Sequence, residues 1–248
     1  MSRIDRLPPP PAEPARSPPF AVAGESDVRV AGLPGGPALE ARMRLPANPV
    51  RAVVICHPHP LYGGSMHSPV PLSVAKVLSE KAGDRVAWAR FNFRGVEGSE
   101  GTHDDGRGEV DDVLAVMRAL RQATAQAVPG AVPLSVCGHS FGSWAGLQAT
   151  LRDGAVDRLL LIAPSVRFSK RAGAGAADGA LPLRPVPNAT VFIGDRDELC
   201  DVDEARELAD ELGAHLRVFE GFDHHFLKSR RAMAEAALPV IAPEVVSP

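Results

Sequence analysis

Gly138-His139-Ser140-Phe141-Gly142 decides how the rest of this chain is read. Immediately before it, Leu134-Ser135-Val136-Cys137 predicts a short buried strand, and after it Ser143–Ala149 predicts a helix. G-x-S-x-G between a strand and a helix is the pattern of a nucleophile elbow, a sharp turn that lifts a serine hydroxyl above the sheet edge. Gly138 and Gly142, with Gly146 one turn later, lack the Cβ atoms that would hold the two backbones apart. The pattern alone is weak in a chain with 23 glycines, so its surroundings must decide.

Working outward, the chain alternates strands and helices. Asp27–Leu33 and Ala38–Leu45 flank Pro34-Gly35-Gly36-Pro37 and predict two antiparallel strands around a turn. Arg51–Cys56 is a continuous apolar run, the mark of a central strand covered on both faces. A loop, His57–Ser68, leads to a helix near Pro71–Ala82, then to a strand over Val86–Phe93 and the glycine-rich stretch Arg94–Gly108. Glu109–Ala127 predicts an amphipathic helix, with Val110, Val113, Leu114, Met117 and Leu120 on one face. Beyond the elbow come a strand over Arg158–Ala163, a loop over Pro164–Pro187, a strand over Thr190–Ile193 and a helix over Val202–Leu212. A strand over Leu216–Phe219 and a final helix over Leu227–Ile241 close the series. This alternation predicts an α/β fold with a mostly parallel, doubly wound sheet of seven or eight strands, helices on both faces and a single domain over 26–243. Residues 1–25, rich in Pro and Ala, are expected to be a disordered tail outside the fold.

Composition narrows the function. A net charge of −3 and the absence of a Lys/Arg run argue against nucleic acid as a partner. The longest apolar runs, such as Leu159–Ala163, are strand-sized, so no membrane span is expected. Cys56, Cys137 and Cys200 are odd in number and lack metal-ligand spacing; reduced buried thiols in a cytoplasmic protein are expected. Six loop histidines (His57, His59, His67, His103, His224, His225) lack the spacing of a metal site. No metal or cofactor is implied.

Serine alone is a poor nucleophile and needs a base that is itself oriented by a carboxylate. In this architecture such groups lie on loops past the carboxyl ends of strands. Two downstream loops qualify: Gly194-Asp195-Arg196-Asp197-Glu198 and Glu220-Gly221-Phe222-Asp223-His224-His225-Phe226. The order Ser, Asp, His is the one expected of α/β-hydrolases. Residue type leaves Asp195 and Asp197 open as the acid, and His224 and His225 as the base.

The chain resembles the α/β-hydrolase superfamily, in particular a short, lidless, bacterial esterase-like group with an H-P-H-P-L-Y-G-G motif. The likeness spans roughly residues 27–240. It rests on His57–Ser65, Phe91-Asn92-Phe93-Arg94-Gly95, Gly106-Arg107-Gly108-Glu109, the elbow and the two loops. The resemblance implies Ser140 as nucleophile, Asp197 as acid (three residues after the glycine ending its strand) and His224 as base, with Asp195 and His225 as runners-up. His225 stands where the group usually has Phe, and Glu97 where it more often has glycine. The backbone N–H of Phe141 is expected in an oxyanion hole. Pro58 and Pro60 cannot donate, so His59 is the first choice for a second donor and Leu61 the alternative. His57 and Arg94 are expected to brace loops.

The resemblance further implies a serine hydrolase cleaving a small carboxylic ester or related acyl substrate through an acyl-enzyme. Thioesters and peptides share that chemistry, and a noncatalytic binding protein on the same fold is the competing expectation. The partner expected is a small-molecule acyl substrate, and the protein a monomer or homodimer. A cap would enter at Pro164–Pro187, where Gly173–Ala177 suggests mobility in place of a formed lid, and Arg167, Lys170 and Arg171 suggest a solvated basic loop.

Overall fold

A computed structural model describes residues 20–166 and 180–246. The sheet has eight strands in the spatial order β1-β2-β4-β3-β5-β6-β7-β8. These are β1 (Ser26–Val30), β2 (Leu39–Arg44), β3 (Arg51–Cys56), β4 (Val86–Phe91), β5 (Leu134–His139), β6 (Arg158–Ile162), β7 (Ala189–Gly194) and β8 (His215–Phe219). The β1–β2 and β2–β4 pairs are antiparallel; β4, β3, β5, β6, β7 and β8 run parallel. Every residue of β3, β4, β5 and β7 is buried, as the continuous apolar run at 51–56 predicts for strands covered on both faces. Nearer the edge, β2 alternates buried with half-buried residues, because its partner layer covers only one side.

Helices lie on both faces of the sheet. On one face α1 (Pro69–Lys81) packs beside α5 (Arg230–Ile241) over a core that includes Val53, Ile55, Trp88 and Phe192. On the other, α2 (Arg107–Ala127), α3 (Phe141–Asp153) and α4 (Val202–Leu212) cover Val54, Val136, Leu161 and Val191. The predicted face of α2 is the buried one: Val110, Val113, Met117 and Leu120 all lie in that core. No helix among the described residues is long and apolar enough to cross a membrane.

Several boundaries differ from the sequence expectation, most by one or two residues, and three of the differences bear on the edge of the fold or on the site. The fold takes in residues 20–25, which composition places in the tail. Val22 is buried, and Glu25 makes a buried ion pair with Arg90 at 2.7 Å while accepting from Trp88 Nε1 at 3.0 Å. A carboxylate exchanging water for a guanidinium and an indole N–H anchors this segment despite its polar composition. Strand β1 stops at Val30 instead of Leu33. Helix α5 starts at Arg230 instead of Leu227, because Phe226 takes φ 53° and Ser229 caps the helix by accepting from Ala232 N at 3.1 Å. Residues 1–19 of the expected tail, and 167–179 of the expected loop with Gly173–Ala177, Arg167, Lys170 and Arg171, lie outside the described residues.

Candidate active site

Ser140 alone joins β5 to α3. Its backbone sits at φ 55°, ψ −119°, a conformation that costs on the order of 1–3 kcal/mol for a residue with a side chain. Three sets of contacts hold it there. Ser140 N donates to Ile162 O at 2.9 Å, and Ser143 Oγ donates to Gly138 O at 2.7 Å. The glycines let the turn close: a Cβ on Gly138 would fall 2.2 Å from Gly142 O, and one on Gly142 would fall 2.4 Å from His57 O. The predicted close approach of strand and helix is therefore present, and it includes the loop after β3.

Past β7 and β8 the two predicted loops meet Ser140. His224 Nε2 is 3.0 Å from Ser140 Oγ, and His224 Nδ1 lies 3.0 and 2.9 Å from the two carboxylate oxygens of Asp197. A carboxylate only accepts, so Nδ1 carries the proton and Nε2 is left to accept from the serine hydroxyl. Asp197 is fixed in turn. Its side chain is fully buried, and Oδ1 also accepts from Leu199 N at 2.9 Å and Cys200 N at 3.0 Å.

The runners-up point elsewhere. Asp195 is exposed and accepts from Gly221 N at 2.5 Å, tying the β7 loop to the β8 loop. His225 is exposed, its ring edge-on to that of His224, while the next residue, Phe226, turns inward and is buried. His224 and His225 are the central residues of a turn closed by Phe226 N donating to Asp223 O at 3.1 Å, and of the two only His224 bonds to Ser140 Oγ.

The loop after β3 lies against the start of α3. His59 packs its ring on Phe141 at 4.8 Å and on His103 at 5.1 Å, and His103 stands 2.8 Å from the buried carboxylate of Glu109. Burial, followed by the neighbouring His103, lowers the His59 pKa. Inside the loop, Leu61 N donates to His59 Nδ1, Tyr62 N and Gly64 N to His59 O, and Gly63 N to Pro60 O. The Leu61 amide is thus directed into the loop. His57 braces the loop as expected: Nε2 accepts from Phe93 N at 3.0 Å while Nδ1 donates to the Pro58 carbonyl at 2.6 Å. Complete burial drops its pKa to about 3, so it stays a neutral strut. Arg94 also braces, pairing with Asp112 at 2.8 Å and donating its backbone N–H to the same carboxylate. Glu97 is accommodated at φ 45° and accepts from Asn92 Nδ2 at 2.8 Å.

Two residues of the site escape the sequence reading. His139, at the end of β5, is buried and donates from Nε2 to the His224 carbonyl at 3.1 Å. Burial first, and then the neighbouring His224, depress its pKa to about 3. It occupies an unspecified position of G-x-S-x-G, so only its direction in space reveals it. Arg230 lies where the sequence predicts the interior of a helix, and the later helix start places it at the cleft. That cleft, about 440 Å³, is lined by His59, Tyr62, Ser140, His224, Leu227 and Arg230 among others.

The Ser140-His224-Asp197 series thus lies at the carboxyl ends of the strands of a mostly parallel sheet, the arrangement of the α/β-hydrolase fold. Residues 114–233 match the family described as serine hydrolase. An uncharacterized protein of Rickettsia prowazekii is 31% identical over 193 residues, covering 75% of each chain. Two solved structures are similar over most of their length. A lidless α/β serine hydrolase of Xanthomonas campestris has TM-score 0.71 and 27% identity, covering 93% of this chain and 100% of that one. An α/β serine hydrolase homologue of Coxiella burnetii has TM-score 0.73 and 28% identity, covering 90% and 100%. This chain has the α/β-hydrolase fold, and over residues 114–233 it matches the serine hydrolase family.

Proposed function

We infer that the protein is a serine esterase cleaving small carboxylic esters through Ser140, His224 and Asp197. The observation that carries this is the unbroken series from Ser140 Oγ through both ring nitrogens of His224 to a fully buried carboxylate. In this proposal Ser140 Oγ attacks the acyl carbon as His224 Nε2 takes its proton. Asp197 holds the ring and stabilises the imidazolium, and His224 returns the proton to the leaving alcohol. Water activated by the same histidine then releases the acid. The backbone N–H of Phe141, opening α3, and that of His59 are the proposed oxyanion donors. Support for His59 comes from its neighbours: Pro58 and Pro60 have no N–H, and the amides from Leu61 to Gly64 bond within the loop. The buried thiols Cys56, Cys137 and Cys200 suit a reducing compartment, and the proposal includes a cytoplasmic location.

Treatment with a fluorophosphonate probe tests the reading. A Ser140 adduct located by mass spectrometry, absent in Ser140→Ala, is the expected result, together with turnover of short p-nitrophenyl esters. A folded protein that takes no label and turns over no ester overturns it.

A further inference from the structure

Among the described residues, the cleft wall combines apolar side chains and histidines with a single guanidinium. Tyr62, Leu199 and Leu227 line it and are 86%, 57% and 63% exposed, and Val70 adds to the same wall. Large apolar side chains gathered around a catalytic mouth mark a surface that a ligand covers. Arg230 lines the same cleft. Its Nε donates to the His225 carbonyl at 3.1 Å, which ties the guanidinium to the residue after His224. Its charge is near enough to His139 to help depress that ring's pKa. No carboxylate among the described residues pairs with Arg230, and none lines the cleft. None of the acidic side chains on the loops after β7 and β8 lines the cleft. Asp197 is held by His224 and two amides, Asp223 Oδ1 accepts from Leu227 N at 2.8 Å, and Glu198 is exposed off the wall.

A tethered guanidinium whose terminal nitrogens have no partner among the described residues matches the two oxygens of a carboxylate in a fork-to-fork arrangement. The one guanidinium that lines the cleft among the described residues balances one negative charge, whereas a phosphate monoester carries about −1.5 to −2. Resting on the esterase reading above, we propose that the substrate is a small ester bearing a free carboxylate, separated from the scissile bond by a short apolar spacer and bound by Arg230.

The test compares matched ester pairs with the full-length protein. One pair sets p-nitrophenyl hemiesters of C5–C8 dicarboxylic acids against p-nitrophenyl alkanoates of equal length. The other sets 4-butyryloxybenzoate against 4-butyryloxybenzamide, which moves the carboxylate to the leaving group. At least one anionic ester is expected to exceed its neutral match tenfold or more in kcat/KM. That ratio is expected to fall by at least tenfold in Arg230→Gln and to recover in part in Arg230→Lys. Turnover of neutral esters with no anionic preference, or a preference that survives Arg230→Gln, overturns this inference alone. Absence of both ester turnover and fluorophosphonate labelling overturns the esterase reading, and this inference with it.

Discussion

At Ser140 the chain adopts a backbone conformation unfavourable for a serine, and its neighbours hold it there. Ile162 O and Gly138 O take the donors around it, and His224 receives its hydroxyl. The roles proposed for the acid and base loops make contrasting predictions. Asp197→Asn removes the partner that sets the His224 tautomer, and kcat is expected to fall by about 10³–10⁴-fold. Asp195→Asn changes only an exposed tie to Gly221 N, and activity is expected to stay within about threefold of the parent. Steady-state ester kinetics of the two variants, side by side, check both. Equal losses would contradict the roles given to these carboxylates. Which carboxylate reaches the histidine depends on the turn after Gly194, where Asp197 N bonds back to Gly194 O and aims its side chain inward.

At the level of elements, the β5–α3 junction is a packing problem solved by absent side chains. A Cβ on Gly142 would meet His57 O at 2.4 Å and Cys56 O at 2.7 Å, both rigid backbone atoms. One on Gly146 would come within 3.0 Å of a single atom, Val136 Cγ1 at 2.9 Å, and of no backbone atom outside its own helix. Gly142→Ala is therefore expected to destabilise the protein by about 1–3 kcal/mol and to displace the His57–Gly64 loop, lowering activity. Gly146→Ala should cost clearly less. Scanning calorimetry with an ester assay on each variant checks the ordering; a Tm loss for Gly146→Ala equal to that of Gly142→Ala would refute it. The loops behind the site follow the same logic of buried polar struts, with Arg94 on Asp112 and Arg90 on Glu25. Breaking one partner of such a pair leaves a buried charge unpaired.

For the molecule as a whole, His57 and His139 couple stability to pH. Both are fully buried and neutral, with pKa values near 3 in the folded state against about 6.5 in the unfolded chain. Between those values the unfolded chain binds the extra protons, so stability rises with pH and falls as pH drops below 6.5. Each ring contributes a slope of about 1.4 kcal/mol per pH unit in that window. Urea unfolding at pH 7, 6 and 5 is expected to show a steep fall toward pH 5, above the range where ordinary carboxylates titrate. His57→Gln should flatten the dependence. A profile flat from pH 7 to 5 would contradict the burial of both rings.

The sequence by itself determined the alternation of strands and helices, the central place of Arg51–Cys56 and Leu134–Cys137, and the elbow. It also determined the order in which acid and base follow the elbow. These depend on periodicity, on turn-forming residues and on glycines needed at close contacts, all local properties. Only the tertiary structure decided which of two neighbouring histidines faces Ser140, which of two neighbouring carboxylates faces that histidine, where α5 begins, and that Glu25 belongs to the fold. It also brought His139 beneath His224 and Arg230 to the cleft. The physical reason is the same in each case. Side-chain direction on a loop is set by how that loop closes against others distant in the chain, as Asp195 closes on Gly221 and Phe226 turns into the core. No residue-by-residue pattern carries that information.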